Sequence, residues 1–60
     1  ARRSLVAACD IPKGTIIKEE YITWKRPAHG ISPKYIDEVC GKRANRKIKK
    51  GEMISWEMLN

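Results

Sequence analysis

The stretch Ile11-Pro12-Lys13-Gly14-Thr15-Ile16-Ile17 occurs again as Ile48-Lys49-Lys50-Gly51-Glu52-Met53-Ile54, at an offset of 37 residues (48 − 11). The same offset maps Ala7 onto Ala44, Glu20 onto Glu57, Tyr21 onto Met58 and Ile22 onto Leu59. Both copies keep an apolar residue, a lysine-glycine pair, two apolar residues and a closing apolar pair. Glycine reaches backbone conformations that other residues adopt only with strain, so a glycine kept at one place in both copies marks a turn of fixed geometry. The chain therefore reads as two copies of one supersecondary unit. The lysines of the repeat belong to its turns, and the repeat is scaffold rather than an anion site.

Working outward, Ser4 to Ala8 reads as a short strand in which Leu5, Val6 and Ala7 form a buried run. Thr15-Ile16-Ile17 is β-branched throughout and reads as a brief strand. Lys18 to Ile22 has the spacing of one helical turn. Thr23 to Arg26 reads as extended, because Arg26 precedes Pro27 and the proline ring disfavours helical geometry at the residue before it. Pro27-Ala28-His29-Gly30 is a loop. Ser32 and Pro33 then start a helix as N-cap and first helical residue. It runs to Val39 or Cys40, with Tyr35, Ile36, Val39 and Cys40 inward, and Gly41 ends it as a left-handed residue. In the second unit, Arg43 to Ile48 reads as a strand and Glu52 to Ile54 as another. Ser55 caps a last helical turn through Leu59. The fold class that follows is mainly β with short helical turns and pseudo-two-fold symmetry.

Size limits function. Sixty residues make one domain, whose core supplies only roughly 3–5 kcal/mol of net stability. Such a chain does not enclose a deep active site of its own. The chain begins at Ala1 rather than at a methionine, as a fragment cut from a longer protein does. No apolar run is long enough to cross a bilayer, and no signal-peptide pattern is present. The apolar fraction of 42% suits a folded domain. The formal net charge is +6, but the basic residues are scattered along the chain and mixed with acidic ones. The densest basic run, Lys42 to Lys50, has no aromatic residue for bases to stack on. It reads as a solvated face, not a nucleic-acid platform. Cys9 and Cys40 form no CxxC motif, and with His29 they are too few for zinc. They read as reduced thiols, Cys40 buried and Cys9 exposed. Trp24 and Trp56 read as core or linker contacts, and Met53 and Met58 as gap-fillers. Glu20 and Glu57 are related by the repeat, which points to a structural role such as capping rather than to acid–base chemistry.

Several segments together resemble a known family. They are Arg2-Arg3-Ser4-Leu5-Val6-Ala7, Asp10 to Gly14, Lys25-Arg26-Pro27 with Gly30-Ile31-Ser32-Pro33, and Gly41-Lys42-Arg43-Ala44 with Ile48 to Glu52. In this order and spacing they resemble the C-terminal antifreeze-like, or SAF, domain of sialic acid synthases. The resemblance covers essentially the whole chain and implies a pretzel-like β-clip fold. It also implies a parent enzyme that condenses phosphoenolpyruvate with N-acetylmannosamine or a related sugar in the cytoplasm. A catalytic barrel preceding this domain would hold the divalent metal, manganese or magnesium; no cofactor is implied for the domain itself. The partners implied are that barrel, the active site of the other protomer in a homodimer and the amino-sugar substrate, with no nucleic acid and no membrane. The arginine of the family's Lys-Arg-Pro motif points at the sugar's N-acyl group, and the matching residue is Arg26. Lys25 and His29 are its loop neighbours. The family often has glycine directly after the motif, whereas Ala28 and His29 intervene here before Gly30.

Two other functions suit the same fold. One is the SAF module of a flagellar or pilus assembly factor or of a sugar-acid dehydratase, which shares the fold more than the Lys-Arg-Pro and Gly-Ile-Ser-Pro motifs. The other is ice binding, as in fish type III antifreeze proteins. Ice binding needs a flat and largely uncharged face, and the corresponding segment, Cys9 to Tyr21, carries Asp10, Lys13, Lys18, Glu19 and Glu20. Ice binding is therefore not expected.

Overall fold

Ile11 and Ile48, the two residues that head the repeated stretches, are hydrogen-bonded to each other. The Ile11 N–H donates to the Ile48 carbonyl at 2.7 Å, and the Ile48 N–H returns the bond at 2.8 Å. A residue that pairs with its own repeat mate lies on a two-fold axis, and the bonds around it obey that axis. Gly51 N–H donates to Ala7 O at 2.8 Å, and Gly14 N–H to Ala44 O at 2.7 Å. Ala8 N–H to Tyr21 O and Asn45 N–H to Met58 O are both 2.8 Å. The bridges Val6 with Met53 and Ile16 with Arg43 are likewise mates. The repeat read from the sequence is thus a pseudo-two-fold in space. Gly14 and Gly51 have φ of 90° and 86°, where a β-carbon is strained, which explains why both copies retain glycine.

The computed structural model describes residues 3–27 and 29–60; Arg2 and Ala28, which belong to the sequence motifs, lie outside the described residues. Strand β1 (Ser4–Ala7) pairs antiparallel with β2 (Ile22–Lys25), with Ser4 opposite Lys25 and Ala7 opposite Ile22. Single 3-10 turns occupy Glu19–Tyr21 and its mate Trp56–Met58. Between the units, a 3-10 turn at Pro33–Tyr35 leads into a one-turn helix α1 (Ile36–Val39). The Ser32 hydroxyl accepts from Lys34 N–H, Pro33 begins the first turn, and Gly41 sits at φ 96° after the C-cap Cys40. The helix therefore starts and stops at its sequence signals, but its first turn is 3-10.

The core is aliphatic and follows the same axis. Ala7 with Ala44, Ile11 with Ile48, Ile17 with Ile54, and Ile22 with Leu59 are mates, and all are buried. Leu5, Ile31 and Val39 complete it. Charged groups tie each turn to the opposite unit. Lys50 N–H donates to the Asp10 carboxylate at 2.8 Å, and Arg43 Nη1 donates to Gly14 O at 2.7 Å.

Several expectations are corrected. The stretches Arg43 to Ile48, Thr15 to Ile17 and Glu52 to Ile54 are not strands but carry isolated bridges. The chain bends after one or two paired residues, so no ladder extends. Of the two readings of Trp24 and Trp56, core or linker contact, the core one fails: each is 46% exposed, because the small core is already filled by isoleucine, leucine, valine and alanine. Tyr35 also faces outward, meeting Trp56 edge-on at 6.2 Å between ring centroids. Ser55 does not cap its turn, and its buried hydroxyl has no partner among the described residues. Glu20 and Glu57 are exposed within turns that have no side-chain cap. Cys9 and Cys40 are free and half-buried, rather than one exposed and one buried. The methionines behave as read: Met58 packs against the core, and Met53 lies against Gly30.

Candidate functional site

Strand β2 ends at Lys25, and Arg26 follows it directly into the loop that leads to α1. Lys25, Arg26 and His29, the three residues singled out in the sequence, are all exposed, Lys25 as the last residue of β2 and the other two on the loop. The Arg26–Pro27 peptide is cis. The guanidinium is a planar fork of five donors that keeps its charge throughout the physiological range. On an exposed loop it suits the recognition of an oxygen-bearing group outside its own domain. Trp24, two residues earlier on β2, is covered by the Arg3 guanidinium at 5.1 Å from the ring centroid.

The loop is held from below by Ser4, a residue that sequence reasoning passed over. Its side chain is fully buried. The hydroxyl donates to Pro27 O at 2.7 Å and accepts from Gly30 N–H at 3.0 Å. The next residue, Leu5, donates its N–H to Ile31 O at 2.9 Å. One signal for Ser4 existed in the sequence: a serine opening an apolar run must find hydrogen-bond partners if the run is buried. The partners themselves lie more than twenty residues away and leave no local trace.

Elsewhere, a shallow pocket of about 330 Å3 is lined by Cys9, Asp10, Ile11, Pro12, Thr15 and Tyr21. The one carboxylate there accepts from Lys50 N–H of the second unit. Among the described residues, no three His, Cys, Asp or Glu side chains are grouped to hold a metal ion. No helix among them is long and apolar enough to cross a membrane.

Burial pushes the Cys40 thiol above its ordinary value, and the nearby Glu19 and Asp37 carboxylates add to this. A raised pKa means a smaller thiolate fraction at a given pH, and the thiolate is the reactive species. Iodoacetamide at pH 8 should therefore label Cys40 more slowly in the folded chain than in the same chain in urea, as read by peptide mass spectrometry. Equal or faster labelling of the folded chain would contradict the assignment.

The family model of the SAF domain matches residues 2–60, and the chain belongs to the SAF-domain family. The chain is 49% identical over 53 residues to the N,N'-diacetyllegionaminic acid synthase of Campylobacter jejuni, covering 88% of this chain and 16% of that protein. It is 42% identical over 52 residues to the pseudaminic acid synthase of the same bacterium, covering 87% of this chain and 15% of that protein. The chain thus spans about one-sixth of the length of the curated relatives it matches. Its fold matches the solution structure of an antifreeze-protein-like domain in human N-acetylneuraminic acid phosphate synthase. The TM-score there is 0.90 at 29% identity, covering 95% of this chain and 73% of that one. The antifreeze-like fold and the family read from the sequence motifs are both confirmed.

Likeness to an antifreeze fold does not bring an ice-binding face with it. Asp10, Lys13, Lys18, Glu19 and Glu20 are all exposed along the segment Cys9 to Tyr21. The expected result is no thermal hysteresis when ice-crystal growth is followed in a solution of the chain. A measurable gap between melting and growth temperatures would overturn it.

Proposed function

We propose that this chain is the substrate-covering domain of a sialic acid synthase-like enzyme and lies at that enzyme's C-terminal end. The parent condenses phosphoenolpyruvate with N-acetylmannosamine or a related N-acylated amino sugar. The domain reaches across a homodimer and brings Arg26 to the sugar bound in the partner protomer's catalytic barrel. Homology to legionaminic and pseudaminic acid synthases supports this reading. The observation that carries it is the exposed Arg26 at the mouth of a loop tied to β1. A covering domain contributes by orienting substrate and excluding water, and neither task needs a group that breaks bonds. The divalent metal belongs to the barrel in this reading, and this chain's residues act only on the sugar.

The test is steady-state kinetics of the full-length enzyme carrying Arg26→Ala, with each substrate varied in turn. Dependence on the amino sugar should weaken while dependence on phosphoenolpyruvate stays unchanged. Unchanged sugar kinetics would remove the orienting role.

A further inference from the structure

We infer that Ser4 is a positioning residue for Arg26, fixing the path of the loop that presents the guanidinium; this rests on the function proposed above. Ser4 is a fully buried polar residue among the core side chains. Its hydroxyl has one proton and two lone pairs. The proton goes to Pro27 O at 2.7 Å, directly after Arg26, and one lone pair takes Gly30 N–H at 3.0 Å. A single side chain thereby holds both limbs of the loop. In the β ladder Ser4 also stands opposite Lys25, so the strand pairing and the hydroxyl act on the same stretch.

The far limb is closely packed at Gly30. A β-carbon built at Gly30 would lie 2.7 Å from Met53 Cγ and 3.2 Å from the Ile54 carbonyl. Gly30 is thus seated against the second unit, while Ser4 belongs to the first. The loop is clamped between the two copies of the repeat. Removal of the hydroxyl leaves the Pro27 carbonyl and the Gly30 N–H without this partner in a part-buried setting, and the loop relieves this by shifting toward water. Arg26 then loses its fixed starting point, although it is still present.

The experiment is a double-mutant cycle in the full-length enzyme, comparing the parent, Ser4→Ala, Arg26→Ala and the double variant. Ser4→Ala should lower kcat/KM for the amino sugar on the order of ten- to a hundredfold, the scale of a misplaced orienting group. The loss should appear in the sugar's KM, with the phosphoenolpyruvate KM unmoved. Adding Ser4→Ala to Arg26→Ala should cost little more, because Ser4 works through Arg26. Amide exchange supplies a readout independent of activity. Gly30 N–H should exchange faster in Ser4→Ala, while Ile11 and Ile48 N–H keep their protection, which separates loop release from unfolding. If alanine loosens those core amides as well, Ser4→Cys takes its place. It is nearly isosteric and a weaker hydrogen-bonding group, and the same selective loss is expected, smaller in size. Multiplying losses in the double variant, or an inert Ser4 substitution beside an effective Arg26→Ala, would overturn the role of Ser4 alone. An inert Arg26→Ala would overturn the proposed function and this inference together.

Discussion

Ile48→Ala leaves most of the chain unfolded at 37 °C. Ile48 is 0% exposed and lies on the pseudo-two-fold axis, where it meets Ile11. Truncating a fully buried isoleucine removes transfer energy and leaves a cavity, together worth about 2–5 kcal/mol. The whole core of a domain this size supplies roughly 3–5 kcal/mol. The loss and the total are therefore comparable. Because the axis relates the two sites, Ile11→Ala should cost the same within about 1 kcal/mol. Ile16→Ala serves as a control, since Ile16 is 39% exposed and surface truncations of this kind stay within about 1 kcal/mol. Thermal melts by circular dichroism decide the matter. In a domain of this size 1 kcal/mol moves the midpoint by roughly 4–8 °C. A melt for Ile48→Ala within a few degrees of the parent, or a large difference between the Ile11 and Ile48 variants, would remove the axis as the centre of the core.

That axis was readable from sequence because both copies keep the glycine that their turns require. Gly14 and Gly51 sit at positive φ, a constraint local to the residue and hence visible in it. The same holds for Ser32-Pro33 and Gly41, whose roles as start and stop depend on neighbours within a few positions. What the sequence hid depends on distant partners. A β-branched run such as Thr15-Ile16-Ile17 looks like a strand, but strand length is set by how far a partner runs alongside. Here Ile16 meets Arg43 in an isolated bridge. Trp24 and Trp56 read from sequence as core or linker contacts, and local sequence does not decide between the two. Sixty residues enclose a volume already occupied by smaller aliphatics, and the indoles remain at the surface.

The candidate site divides in the same way. Arg26 is legible as a candidate through its motif, and its place at the end of an extended segment follows from Pro27. Ser4 was not found, because a buried hydroxyl is explained only by the groups it bonds. Those groups come from a loop that folding brings back over β1. Local chemistry is written in local sequence, whereas the support that gives the chemistry its direction is tertiary.

On the function proposed above, Arg26→Ala should lower kcat/KM for the amino sugar on the order of 10- to 100-fold in the full-length enzyme, the worth of one hydrogen bond to a charged group. Arg26 is exposed and outside the aliphatic core, so the variant should melt with the parent, and the loss cannot be assigned to unfolding. Arg26→Lys then separates charge from geometry. Lysine keeps the charge but presents it as a compact ammonium, without the planar fork that meets an acyl oxygen along fixed directions. If the loop is clamped so that direction matters, lysine should recover only a few-fold of the loss. Ionic strength gives a second separation. Attraction by an exposed charge alone is screened within about 8–10 Å at 0.1–0.15 M salt, so a purely electrostatic role would fade as salt is raised. A directed hydrogen bond at close contact should hold its contribution across the same range. Full rescue by lysine, together with a steep salt dependence, would reduce Arg26 to a diffuse positive charge and leave its clamped loop without a purpose.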